Sequence, residues 1–268
     1  MIELRKLDAM DENHMILKMQ SGAMALGLGA TLPPETQVAS LVARAGFDWC
    51  FLDLEHCYLS PASVVANCAA LRSLGVTPVV RIPKAMGGDI SRLLDSGAQG
   101  IILPHVETAE EAGDFVAQCK FAPLGHRSWG GASPQLGYPS GPSRELMEVG
   151  NARTLAVVMI ESAEGVDNVE EIARCPGLDA VLVGNVDLSL DLGEAGRLER
   201  PKTWEAITRI GQASNAAGKF FGLAGVPSAD AVSALSDVQV DFALAGIDYR
   251  LLAAAFVTRA AEWRSGTA

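Results

Sequence analysis

The sequence predicts one (β/α)8 TIM barrel, a single α/β domain over residues 1–268, and three observations carry that prediction. Eight short apolar runs recur along the chain, each run hands over to a segment of helical periodicity, and the runs are nearly continuous in hydrophobicity rather than alternating. Continuous runs mark strands buried on both faces, as parallel strands are when crossover helices cover them. Strand–helix alternation implies right-handed βαβ units. Eight such units close into a barrel, and the chain length suits one. A doubly wound open sheet is the main competitor, but no GxGxxG follows the first run.

The predicted strands, in order, are Met24–Ala30, Asp48–Leu54, Thr77–Ile82, Gly100–Pro104, Leu155–Glu161, Asp179–Asn185, Lys219–Ala224 and Asp241–Ile247. Ahead of them, residues 1–20 read as a short charged and polar arm, expected to lie on a neighbouring subunit. Periodic segments between the runs include Pro61–Leu74, Asp89–Ser96 and Thr108–Cys119. Ser60-Pro61 and Pro201 suit a helical first turn. Gly75, Gly97 and Gly218 fall where a helix needs a left-handed C-cap. The longest break, Phe121 to Arg153, holds Gly125-His126-Arg127-Ser128-Trp129-Gly130-Gly131 followed by several prolines and glycines. A loop that long inside a compact domain is usually functional or disordered. Asp248-Tyr249-Arg250 is expected to cap the final helix, the apolar Leu251–Trp263.

Composition narrows the function. Hydrophobic residues make up 49% and charged residues 20%, enough apolar material for one core. The formal net charge of −11 argues against nucleic acid, which needs a basic footprint. It leaves an anionic small molecule open, because such a site needs one or two local cations. No run of about 18 apolar residues could span a membrane, and the start, Met1-Ile2-Glu3-Leu4-Arg5-Lys6, lacks the apolar region of a signal peptide. Five cysteines without a CxxC pair read as reduced thiols in the cytoplasm, mostly packing residues. Cys57 belongs with them, since a reactive thiolate needs electropositive surroundings.

In a barrel, chemistry sits at the C-terminal ends of the strands. Strand two ends Asp53-Leu54-Glu55-His56, strand three Val80-Arg81, strand five Ile160-Glu161, and strand six runs out through Gly184-Asn185-Val186-Asp187. Glu161 and Asp187 come from adjacent strands and could share a cation. Two carboxylates with open positions suit a hard divalent ion, Mg²⁺ or Mn²⁺, with Co²⁺ a further candidate. The competing reading of Asp187 is a cap for the turn at Leu188. Arg81 offers a planar fork for a carboxylate or a developing oxyanion, or else pairs with Glu55 or Asp53. His56 is read as the one histidine at a strand end, the others being His14, His105 and His126, and could act as a base near neutral pH.

Phe47-Asp48-Trp49-Cys50-Phe51-Leu52-Asp53-Leu54-Glu55-His56 resembles the FDWxxxDxEH signature of the HpcH/HpaI aldolase family. So do Val79-Val80-Arg81, Leu93-Leu94-Asp95-Ser96-Gly97-Ala98-Gln99-Gly100, Ile160-Glu161-Ser162-Ala163-Glu164-Gly165 and Gly184-Asn185-Val186-Asp187-Leu188-Ser189. The resemblance runs over most of Ala23–Glu262 and implies a class II pyruvate aldolase. Such an enzyme cleaves a 4-hydroxy-2-oxo acid into pyruvate, or a related 2-oxo acid, and an aldehyde. It implies that Glu161 and Asp187 hold the metal, that His56 moves the hydroxyl proton, and that Arg81 stabilises the oxyanion. It also implies that Asp95 raises the basicity of His56, and that the backbone at Val186 and Asp187 receives the 2-oxo acid carboxylate.

Three departures bear on the substrate. Met159 stands where the family typically has glutamine, Asn185 and Val186 stand within its GPADLS, and the segment Arg127-Ser128-Trp129 only partly matches a glycine-rich stretch. The relatives also include citrate-lyase β-type and malyl-CoA lyases, which take acyl-CoA esters; Asp53–His56 favours the aldolase branch. A barrel that binds a metal–oxoacid complex without turning it over is the other alternative, kept open by Met159. In relatives the final helix crosses to a neighbour, which implies a homo-oligomer, a hexamer built from dimers.

Overall fold

The architecture comes from a computed structural model that describes residues 12–32, 35–57, 59–131, 133–194, 201–226 and 228–265. The strands are β1 (Ala25–Ala30), β2 (Trp49–Asp53), β3 (Thr77–Arg81), β4 (Gly100–Leu103), β5 (Leu155–Ile160), β6 (Ala180–Gly184), β7 (Phe220–Ala224) and β8 (Phe242–Ile247). All pair in parallel with their sequence neighbours, and β8 returns to β1, so the barrel closes. Each coincides with a predicted run, trimmed by at most one residue at either end. Around them lie α1 (His14–Gln20), α2 (Glu35–Arg44), α3 (Pro61–Ser73), α4 (Ile90–Asp95), α5 (Ala109–Cys119) and α6 (Ser143–Arg153). The second half carries α7 (Ala163–Asp167), α8 (Val169–Ala173), α9 (Asn185–Asp191), α10 (Pro201–Ala216), α11 (Ala229–Ser233) and α12 (Asp248–Ser265).

Local chemistry explains these boundaries. Ser60 caps α3 by accepting from Ser63 N, with Pro61 in the first turn. Gly75, Gly97 and Gly218 adopt positive φ (75°, 111° and 69°), the left-handed backbone that ends a helix cheaply only at glycine. Two expectations need correction. The break at Phe121–Arg153 is not one long loop, since α6 fills its second half. Only Leu146, Gly150 and Asn151 of that helix are buried, so its apolar period is faint. The described part of the arm over 1–20 does not reach away from the barrel. Asn13 caps α1 and donates to the carbonyls of Gln99 (3.0 Å) and Arg153 (2.9 Å), and α1 inserts Met15 and Met19 beneath the strands. Residues 1–11 lie outside the described residues.

Side chains alternate along each strand, so every second residue enters the barrel. The interior stacks Trp49 and Phe51, Val79, Ile102, Leu155, Val157 and Met159, Ala180 and Leu182, and Phe242, with Met15 and Met19 as the plug below. A second, larger cluster fills the space between strands and helices. Trp49 and Phe242 meet edge to face at 5.9 Å. Each occupies space that a neighbouring strand concedes: a Cβ on Gly27 would run into the Trp49 ring, and one on Gly222 into Phe242. Glycine is required there by close approach rather than by backbone angle.

The floor, at the N-terminal ends of the strands, binds its charges in place. Asp48, Asp179 and Asp241 each precede a strand, and each accepts a backbone N–H from the strand before it: Leu26 (2.8 Å), Ala156 (2.7 Å) and Phe221 (2.8 Å). Lys18 pairs with Asp48 at 2.7 Å. Lys120, almost wholly buried, donates to the carbonyls of Asn151 (2.9 Å) and Thr154 (2.6 Å) and lies 2.7 Å from Asp179. That saturates its three N–H groups, as a buried ammonium requires. Asp248 opens α12 and ties down the turn after β1, accepting from Thr31 N (2.8 Å), Thr31 Oγ1 (2.6 Å) and Leu32 N (2.9 Å). Beyond it, α12 packs little, leaving Leu251, Leu252, Phe256, Val257 and Trp263 exposed. Among the described residues, no helix is long and apolar enough to cross a membrane.

Candidate active site

The inward alternation that fills the core with apolar side chains delivers charged ones at the top. Trp49 and Phe51 lead to Asp53, Val79 leads to Arg81, and Val157 and Met159 lead to Glu161. Asp53 and Arg81 are register partners on β2 and β3. Arg81 donates through Nε to Asp53 Oδ1 (3.0 Å) and through Nη2 to Asp53 Oδ2 (2.7 Å), and Nη1 lies 3.1 Å from Glu55 Oε2. Burial alone would lower its pKa, but the hydrogen bond with Asp53 and the charges of Asp53, Glu55 and Glu161 raise it, so the guanidinium stays charged. Asp53 Oδ1 also accepts from Glu55 N (3.0 Å) and His56 N (3.4 Å), which shapes the turn carrying both residues.

Glu161 follows β5 and is buried. Burial pushes its carboxyl up to about 7, helped by the nearby charges of Asp187 and Glu55 and opposed by His105. Glu161 Oε1 accepts from His105 N (2.8 Å), and His105 Nδ1 lies 2.9 Å from the same oxygen. Glu161 Oε2 lies against Gly184, where any Cβ would collide with it. Asp187 is exposed in the first turn of α9. The capping alternative for it falls away, because the cap position is Gly184.

The sequence expectations divide here. Arg81, Glu161 and Asp187 gather at one rim, and the alternative partners of Arg81, Asp53 and Glu55, are both real partners. His56 stands at the same rim with its side chain 65% exposed and Nε2 4.0 Å from Glu55 Oε2. Val186 is exposed on α9, and Met159 lies buried one inward position below Glu161. Asp95 has a different partner within this chain. It ends α4, which runs antiparallel to the strands, and within its own chain its carboxylate accepts from Arg127 Nη2 at 2.6 Å. His126 N and Arg127 N donate to the carbonyls of Ala117 (2.7 Å) and Lys120 (2.9 Å), and the Arg127 guanidinium stacks on Phe121 at 4.4 Å. The segment therefore braces the end of α5 and does not line the rim of its own chain. Cys57 lines an apolar recess with Leu54, Val64 and Leu93, and burial raises its pKa, in keeping with packing.

One rim residue was missed. His56 is not the only histidine at a strand end, because His105 follows β4 by two residues and meets two of the site's carboxylates. The signal was present in Pro104-His105 at the end of the fourth run.

Among the described residues, no three His, Cys, Asp or Glu side chains are arranged to ligate one ion. What the rim offers a metal is the buried Glu161 beside the charge of Asp187, with Glu55 close by. A hard divalent cation fits that all-oxygen, under-compensated donor set.

A sequence profile described as HpcH/HpaI aldolase/citrate lyase matches residues 34–255. A 4-hydroxy-4-methyl-2-oxoglutarate aldolase of Chaetomium globosum is 40% identical over 250 residues, covering 91% of this chain and 93% of the relative. A hydroxypyruvate/pyruvate aldolase of Chromohalobacter salexigens is 36% identical over 80% of this chain and 84% of its own. Among solved structures, an HpcH/HpaI aldolase from Desulfitobacterium hafniense superposes with a TM-score of 0.87 at 26% identity, covering 93% of this chain and 96% of that one.

Proposed function

Because the chain belongs to the HpcH/HpaI aldolase/citrate lyase family, we propose that it is a divalent-metal-dependent aldolase that cleaves a 4-hydroxy-2-oxo acid to pyruvate, or a related 2-oxo acid, and a carbonyl partner. It is a carbon–carbon lyase, as its aldolase relatives are. The observation that carries the reading is the buried Glu161 carboxylate, crowded by Asp187 and Glu55 at the rim of a closed barrel.

Glu161 and Asp187 would hold the ion, Mg²⁺, Mn²⁺ or Co²⁺, which when bound supplies Lewis acidity toward the 2-oxo group of the substrate. Arg81, locked by its two bonds to Asp53, faces the enolate oxygen with a charge that needs no reorganisation. His56 takes the proton from the C4 hydroxyl as the C3–C4 bond breaks, and its exposure lets it reach a substrate in the mouth. The first-turn N–H groups of Val186 and Asp187 lack intrahelical acceptors and receive the substrate carboxylate. Met159 leaves the floor beneath Glu161 apolar, so a hydrogen bond that glutamine would make to the 2-oxo acid is absent.

The exposed apolar residues of α12 support a homo-oligomer, a hexamer by analogy with relatives, and the free cysteines support a cytoplasmic setting. The first substrate to try is 4-hydroxy-4-methyl-2-oxoglutarate, whose retro-aldol cleavage yields two molecules of pyruvate. Pyruvate release, read through lactate dehydrogenase and NADH, is expected with Mg²⁺ or Mn²⁺ and is lost on chelation. Release that chelation leaves untouched, or no release from any 4-hydroxy-2-oxo acid tried, would contradict the reading.

A further inference from the structure

Resting on that aldolase reading, we propose that His105 is a positioning residue of the metal site. Its main-chain N–H holds one oxygen of Glu161 and its ring Nδ1 packs against the same oxygen, so that the other is turned toward Asp187, while Nε2 fastens Glu55 to the same frame. The geometry begins with the backbone. His105 has φ 54°, a left-handed conformation uncommon outside glycine and several-fold enriched in Asn, Asp and His. Such a conformation persists when its surroundings over-determine it, and here they do. Lys84 Nζ donates to the His105 carbonyl (2.8 Å), Val106 N donates to Met159 O (3.2 Å), and Asn168 Nδ2 donates to Glu107 O (2.8 Å). The turn after β4 is thus pinned at three successive residues, and one anchor lies two residues before Glu161.

The turn makes the His105 main-chain N–H donate to Glu161 Oε1 at 2.8 Å and brings ring Nδ1 to 2.9 Å from the same oxygen, an ion-pair contact. Oε2 is left against Gly184, the residue that leads into the helix carrying Asp187. On its far side the ring presents Nε2 to Glu55 Oε1 at 3.1 Å, and Glu55 Oε2 is itself 3.1 Å from Arg81 Nη1. One imidazole therefore joins the carboxylate proposed to hold the metal to the guanidinium proposed to face the oxyanion. A freely rotating glutamate would lose orientational freedom each time an ion bound. His105 removes that freedom beforehand, as partners behind metal ligands do.

The test is Mn²⁺ binding, read from the EPR signal of the free ion, in the wild type, His105→Gly, His105→Asn and His105→Gln. Glycine accepts the left-handed backbone and keeps the main-chain N–H. Asparagine places an amide N–H near the position of Nδ1, and glutamine near that of Nε2. The proposal expects Mn²⁺ affinity to fall about tenfold or more in the glycine and glutamine variants. It expects the asparagine variant to stay within about threefold of the wild type on the same grounds, with melting temperatures tracked alongside. Glycine and glutamine variants that bind Mn²⁺ as tightly as the wild type would overturn the proposal, as would an asparagine variant as weak as glycine. If the glycine variant fails to fold, the asparagine–glutamine pair carries the same contrast. A wild type that binds no Mn²⁺ would instead overturn the metal reading beneath the proposal.

Discussion

The two ends of the barrel handle buried charge in opposite ways. On the floor, Lys120 spends its three donors on two carbonyls and Asp179, and Asp48, Asp179 and Asp241 each satisfy a strand N–H. At the rim, Asp53, Glu55 and Glu161 gather around Arg81 with Asp187 near Glu161, and Glu55 Oε2 is buried without a hydrogen bond despite its nearness to the guanidinium. Neutralised, saturated charge holds strands in register. A local excess of carboxylate marks a place whose cation comes from outside.

Substitutions at the two ends should therefore differ in kind. Glu161→Gln is expected to lower kcat at least about a thousandfold, the several kcal/mol that a metal contributes. Because it also relieves repulsion with Asp187 and Glu55, the metal-free protein should melt no lower than the wild type; a lower melting temperature would break the comparison. Lys120→Met should do the reverse. It leaves the carbonyls of Asn151 and Thr154 without their buried donor and partly exposed Asp179 without its partner, at a cost of about 1–3 kcal/mol, measured by denaturant unfolding, while the folded fraction keeps its affinity for Mn²⁺. Arg81→Lys keeps the charge but loses the fork that Asp53 holds, and should lower kcat/KM about a hundredfold without loss of metal binding. Asp48→Asn is the smallest change. It keeps an acceptor for Leu26 N and gives up a partly exposed ion pair with Lys18, so it should cost about 1 kcal/mol or less.

The fold was legible because the eight strands are short, apolar and flanked by turn chemistry, so the continuous apolar runs found them to within a residue. The helix at Ser143–Arg153 was not, because it buries too little to print a pattern. Arg81, Glu161 and Asp187 were legible for a related reason, since each falls at or just past a strand end. The bond between Asp95 and Arg127 was not legible, because sequence motifs do not say which side chains a helix terminus and a distant loop bring together. His105 was hidden by a backbone event, a left-handed turn immediately after Pro104 that swings its ring back over Glu161.

Enolate chemistry at the carboxylate-rich rim can be measured most directly without an aldol substrate. Exchange of the methyl protons of pyruvate into D₂O, followed by NMR with Mn²⁺ or Mg²⁺ present, should be fast in the wild type. It should stop with chelator and in Glu161→Gln. Exchange that persists through both, or none in the wild type with any divalent ion, would contradict the account.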